Sequence, residues 1–165
     1  MKKTAYLFIL VFAVALLGAC GHNNNIDNLP REDALKLLDA KIKKDSDNAG
    51  LYYERAILLI GLGKEKQQSQ YFRDAINDLT KATSIDDSKS EYFTALGDAH
   101  FSLGNVGDSY SALQKALKLD PDNFEACLKM GEISFYSKDY DRAMESLSKV
   151  TEQDKNNQTA LFMKG

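Results

Sequence analysis

Few side chains in this sequence could do chemistry: Cys20 and Cys127, His22 and His100, and the acid-rich stretch Asp45-Ser46-Asp47-Asn48-Ala49-Gly50. A thiol can act as a nucleophile or accept an acyl group, an imidazole can move protons or hold a metal, and closely spaced carboxylates can hold calcium. Spacing argues against most of these roles. The twelfth position counted from Asp45 is Ala56, where a calcium loop needs a bidentate glutamate, so the stretch reads as a turn between helices. His22 sits among asparagines and reads as solvated. His100 falls on a helical apolar stripe and reads as a packed histidine hydrogen-bonded to a neighbour. The chain has no Gly-rich phosphate loop, no zinc-spaced Cys/His set and no nucleophile elbow. No cofactor or metal is therefore expected. Only Cys20 stands where its sequence context points to a reaction.

That context is Met1-Lys2-Lys3, then thirteen apolar or aromatic residues from Ala5 to Leu17, then Gly18 and Ala19. A basic start, a short apolar core and small residues at its end form a secretory signal peptide over residues 1–19, because a spanning helix needs about 20 apolar residues. Leu17-Gly18-Ala19-Cys20 resembles the bacterial lipoprotein lipobox. The resemblance implies that the Cys20 thiol receives a diacylglyceryl group and becomes the new N-terminus, acylated with chains such as palmitate. One chain anchors only marginally, at about 0.8 kcal/mol per buried methylene, whereas two or three hold firmly. Gly21 rather than aspartate follows the cysteine, which in enterobacterial lipoproteins goes with transfer to the outer membrane. The expected location is the bacterial cell envelope, lipid-anchored in the outer membrane and facing the periplasm. Residues 20–29 are polar and read as a flexible tether.

Removing residues 1–19 takes away Lys2 and Lys3 and leaves 19 basic against 24 acidic residues, a formal charge of −5. Lysine and arginine nowhere form a run interleaved with aromatics, so nucleic acid is not an expected partner. With Cys20 acylated, Cys127 is alone and no intramolecular disulfide is possible. Two prolines and little β-branched alternation point to an all-helical domain.

The elements that organise the chain show most clearly from Ser90 to Asn123. Phe93, Leu96, Gly97 and His100 form one stripe at helical spacing, and Ser109, Leu113, Ala116 and Leu117 form a second. Gly104-Asn105 separates them, and Asp120-Pro121-Asp122-Asn123 stops the second helix. Shifting this 34-residue unit forward lands Cys127, Met130, Gly131, Ala143, Leu147 and Val150 on the same stripes without a gap. Shifting it backward lands Tyr52, Arg55, Ala56, Leu59 and Gly63 on the first stripe and Ala75, Leu79, Ala82 and Asp87 on the second. Here seven extra residues intervene, assigned to Lys64–Gln70 and expected as a solvent loop or a longer first helix, the loop being preferred.

This pattern resembles the tetratricopeptide repeat, which has an aromatic or large residue at position 4, Leu at 7, Gly or Ala at 8, Tyr at 11, Ala at 20, an apolar residue at 24, Ala at 27 and Pro at 32. The resemblance implies an all-α solenoid of helix-turn-helix repeats and a binding function without catalysis. The repeats run over 49–89, 90–123 and 124–157, preceded by a capping half repeat over 30–48 and followed by an incomplete helix over 158–165. In this family the first helix of each repeat lines a concave groove, which here implies Tyr53, Ile57 and Ile60, then Glu91, Thr94, Asp98 and Phe101, then Glu125, Leu128, Glu132, Phe135 and Tyr136, the alternative for Phe101 and Phe135 being a part in the packing between repeats. Aromatic and acidic groups together suit a protein or peptide segment with apolar anchors and some lysine or arginine. Repeats that grip chaperone tails use a clamp of Lys and Asn. Here Tyr53, Ile57, Ala95 and Glu125 stand at such positions and only Lys129 fits, so a C-terminal carboxylate ligand is not expected. The function expected is an adaptor supporting an envelope assembly. Two alternatives stay open: a scaffold that self-associates through the unfinished C-terminal helix, and an accessory subunit of a cell-wall enzyme.

Overall fold

The computed structural model describes residues 29–165; the expected signal peptide, Cys20 and the expected tether as far as Asn28 lie outside the described residues. Arg31–Gly165 fold as one unit. Among the described residues there are eight α-helices and no strand: α1 (Arg31–Lys44), α2 (Ala49–Lys66), α3 (Ser69–Ile85), α4 (Ser90–Ser102), α5 (Val106–Leu119), α6 (Phe124–Tyr136), α7 (Tyr140–Gln153) and α8 (Gln158–Lys164). No helix among them is long and apolar enough to cross a membrane. The fold is an all-α solenoid. α2/α3, α4/α5 and α6/α7 pack as successive hairpins, α1 covers α2 at one end, and α8 packs on α7 and α6 at the other.

Charge and capping explain where several helices begin and end. α1 carries Glu32 and Asp33 in its first turn and Lys41, Lys43 and Lys44 in its last, matching the helix dipole at both ends. Asn123, Asp139 and Asn157 accept hydrogen bonds from the backbone N–H of Ala126, Arg142 and Ala160, at 2.9, 3.3 and 3.0 Å, and so satisfy donors that a helix start leaves orphaned.

All three hairpins turn the same way. One residue at each turn is left-handed: Gln67 (φ 51°), Gly104 (φ 77°) and Lys138 (φ 63°). The following N–H then reaches back five residues, from Gln68 to the carbonyl of Gly63 (3.3 Å), from Asn105 to His100 (3.0 Å) and from Asp139 to Ser134 (2.9 Å). This is the Schellman bond that closes helix C-termini. Only the middle turn gives the left-handed site to glycine, which adopts it without steric cost.

The turns also locate the seven extra residues. Against the frame set by Gly104, Gln67 comes four residues later in its repeat, and Ala75 then lies eight beyond Gln67 where Ser109 lies five beyond Gly104. The preferred expectation of a solvent loop is thus corrected. Lys64, Glu65 and Lys66 end α2, Ser69 and Gln70 begin α3, and only Gln67 and Gln68 turn. Four and three residues each make about one helical turn at 3.6 residues per turn. The buried faces of both helices consequently keep their phase.

Helix crossing depends on small residues. A Cβ on Gly97 would lie 2.7 Å from Leu113 Cγ, and one on Gly131 would lie 2.5 Å from Leu147 Cδ2. Leu113 and Leu147 are completely buried at these crossings. Ser109, where the family has alanine, is also buried, and its hydroxyl donates to the Gly97 carbonyl at 2.7 Å. A second buried polar chain runs from Asn123 Nδ2 to Ser90 Oγ (2.9 Å) and from Ser90 Oγ to the Ala116 carbonyl (3.0 Å). It ties the start of α4 to the end of α5 and to the turn that follows.

Candidate binding groove

α2, α4 and α6, the first helices of the three hairpins, share one side of the solenoid and enclose a cavity of about 430 Å³. Tyr53, Ile57, Thr94, Asp98 and Leu128 line it, together with Ile60, Glu91 and Glu125 from the same predicted set. Phe101, Glu132, Phe135 and Tyr136 do not line it. Phe101 packs against the core cluster formed by Phe93, Leu113 and Met130, and the Lys129 ammonium lies 5.1 Å from its ring centroid. Phe135 packs against the last hairpin's core and meets Tyr136 and Tyr140 edge-on, with centroids 5.7 and 6.1 Å away. Tyr136 itself is 70% exposed.

The floor of the cavity is apolar and partly open. Ile57 is 42% exposed although aliphatic, Leu128 is half-buried, and Tyr53 stacks on Tyr92 with ring centroids 4.9 Å apart. Thr94 is buried, and its hydroxyl donates to the Ser90 carbonyl at 3.0 Å. That bond uses its one donor.

Charge is distributed unevenly. Lys64 pairs with Asp98 at 2.7 Å, and Lys129 reaches Asp98 at 3.5 Å and Glu132 at 2.8 Å. Burial works against the Lys129 charge, but its hydrogen bond to Glu132 and the fields of Glu132 and Asp98 hold the ammonium above its ordinary range. Around Tyr53 the balance reverses. Burial and then the fields of Glu91 and Glu125 push the phenol up. Neither Glu91 nor Glu125 forms an ion pair among the described residues.

Four lining residues lie outside the expected groove set: Gly61, Lys64, Ala95 and Lys129, the last two standing at the clamp positions considered above. Ala95 and Lys129 occupy the sixth place of α4 and α6, beside the expected fifth. Lys64 belongs to the extra turn of α2, so its place in the groove follows only once that turn is helical. Outside the groove, His100 lies 3.9 Å from Asp108, and its buried Nδ1 has no hydrogen-bond partner among the described residues, contrary to the expected bonded histidine. Cys127 is buried, donates weakly to the Pro121 carbonyl, and has its thiol pushed up by burial.

Stacked helix hairpins that turn one helix each toward a shared groove define a helical-repeat interaction module. Tetratricopeptide-repeat family models match residues 60–124 and 100–163, and residues 60–163 of this chain belong to the tetratricopeptide repeat family. Ninety-nine residues, 60% of this chain, are 27% identical to Hsp70-Hsp90 organizing protein 2 of Arabidopsis thaliana, of which they span only 17%. A crystal structure of MamA superposes with a TM-score of 0.71 at 22% identity, covering 81% of this chain and 74% of that one. The first such domain of Spaghetti (RPAP3), bound to the HSP90 peptide SRMEEVD, gives 0.56 at 22% identity, covering 67% and 87%. The likeness to both structures is one of fold. That fold is generally a non-catalytic protein-interaction module.

Proposed function

We propose that this protein is a lipid-anchored adaptor of the bacterial cell envelope that holds an extended segment of another protein in its concave groove. One observation carries the binding half of this reading: Tyr53, Ile57 and Leu128 bring partly exposed apolar surface from two helices into a single cavity. The RPAP3 domain of the same fold holds a peptide, which supports the class of ligand and not its sequence. Anchoring rests on the lipobox-like Leu17-Gly18-Ala19-Cys20. Pull-down from detergent-solubilised envelope, wild type beside Ile57→Glu/Leu128→Glu, tests the groove. The charged variant is expected to lose the partners that wild type retains, and equal capture contradicts the reading. Acyl labelling is expected to disappear in Cys20→Ala, and labelling that persists removes the anchor.

A second reading is favoured by α8, which buries Ala160 yet leaves Leu161 48% and Phe162 81% exposed. Such an apolar pair supports self-association through this end. Light scattering across concentration distinguishes it, with a mass that rises in wild type and stays monomeric in Phe162→Ser.

A further inference from the structure

The groove is polarised along its length, and its lysines are already engaged. Asp98 lies between Lys64 and Lys129, and Lys129 is shared with Glu132 and set over the Phe101 ring. An acidic segment would have to draw Lys129 away from two carboxylates before pairing with it. At the other end the order is reversed. Glu91 and Glu125 are the second residues of α4 and α6, one repeat apart, and both line the cavity beside Tyr53. They are exposed, they form no ion pair among the described residues, and their fields already disfavour ionisation of the Tyr53 phenol. Acids in a first helical turn also favour the helix dipole. That accounts for glutamate at a helix start, but not for two of them over one cavity with an aromatic wall.

We infer that the Tyr53–Glu91–Glu125 end of the groove takes a lysine or arginine side chain of the bound segment, while an adjacent aliphatic or aromatic side chain of that segment packs over Ile57 and Leu128. This deepens the groove reading above and rests on it. Two uncompensated carboxylates supply the charge, and the tyrosine ring supplies a face for the cation's apolar stem or guanidinium plane. The preferred partner is then opposite in charge to an acidic tail peptide.

Selection of a random dodecapeptide phage library on the full chain in detergent, beside Glu91→Gln/Glu125→Gln and Ile57→Glu, tests this. Circular dichroism of the variants checks that each is folded. Wild type is expected to enrich peptides with Lys or Arg within two residues of an apolar side chain. The leading peptide, synthesised, is expected to bind the double glutamine variant about tenfold more weakly and to lose affinity at high salt. Enriched peptides that are acidic or indifferent to charge, yet lost on Ile57→Glu, would overturn the cation site and leave the groove reading standing. No enrichment, or peptides that bind Ile57→Glu as well as wild type, would overturn the groove reading and this inference together.

Discussion

The first hairpin and the two behind it cross their helices by different chemistry. α4/α5 and α6/α7 meet through glycine on leucine, Gly97 on Leu113 and Gly131 on Leu147, with no room for a Cβ. In α2/α3 the corresponding Ala56 is buried, and a further close approach, Gly63 on Phe72, lies about two turns nearer the bend. Where the family has leucine, this hairpin carries Arg55. Its guanidinium donates Nε and Nη2 to the two oxygens of buried Asp78 at 2.7 and 2.6 Å, and Nη1 to Asp39 of α1 at 2.6 Å. The hydrogen bonds to Asp78 lead in holding Arg55 firmly protonated, against the cost of its burial. The end hairpin thus adds ion pairs to the close packing that the interior ones share. Its extra turn adds two more pairs to the cap, Glu65 with Arg31 and Lys66 with Glu32.

The largest expected effect comes from filling a glycine crossing. Gly131→Leu is expected to cost about 3 kcal/mol by overpacking against Leu147, whereas Gly107→Ala, with nothing within 4 Å, should leave the melting temperature equal or higher. Equal melting temperatures for Gly131→Leu and wild type would show that the interior hairpins do not depend on close approach. Next comes the ionic crossing. Breaking a buried pair costs about 3–5 kcal/mol, and Arg55 keeps Asp39 and some solvent, so Asp78→Ala is expected to cost about 2 kcal/mol. Arg55→Met/Asp78→Leu should recover most of that in urea unfolding, and a double variant worse than the single would mean that the pair is not replaceable by packing.

A smaller effect is expected at the third turn. Lys138 holds a left-handed conformation where Gly104 stands in the middle repeat, so Lys138→Gly should stabilise by about 1 kcal/mol. A destabilised variant would contradict the shared-turn account. The smallest effect belongs to the exposed pairs. Glu65→Ala/Lys66→Ala should speed hydrogen exchange in α1 and leave α4 to α7 unchanged. Protection lost evenly across all helices would place those pairs in the core of stability rather than at its edge.

The fold was legible wherever a stripe of small and large apolar residues repeated without interruption. Gly97 and Gly131 mark their crossings because a Cβ there would meet buried Leu113 and Leu147. The extra turns of the first hairpin were less legible, since Lys64-Glu65-Lys66-Gln67-Gln68 is polar whether it bends or winds. Only the preserved phase of Ala56 and Ala75 hinted at two added turns. In the groove, periodicity identified Tyr53, Ile57 and Leu128 because helical spacing fixes which face they share. Periodicity alone did not decide between groove and core for Phe101 and Phe135, which lie on α4 and α6 and turn toward neighbouring cores. Nor could it reveal that Lys129, three residues from Glu132 on α6, also reaches Asp98, since that contact joins α6 to α4 across a repeat boundary.

Site-specific photo-crosslinking in cells of the native host tests the central claim most directly. A benzophenone side chain placed at Ile57 or Leu128, in the groove, is compared with one at Ser111 or Gln114 on α5, which does not line it. The account predicts discrete adducts with the same partner from positions 57 and 128 and none from 111 or 114. Adducts that form only from the α5 positions would contradict it.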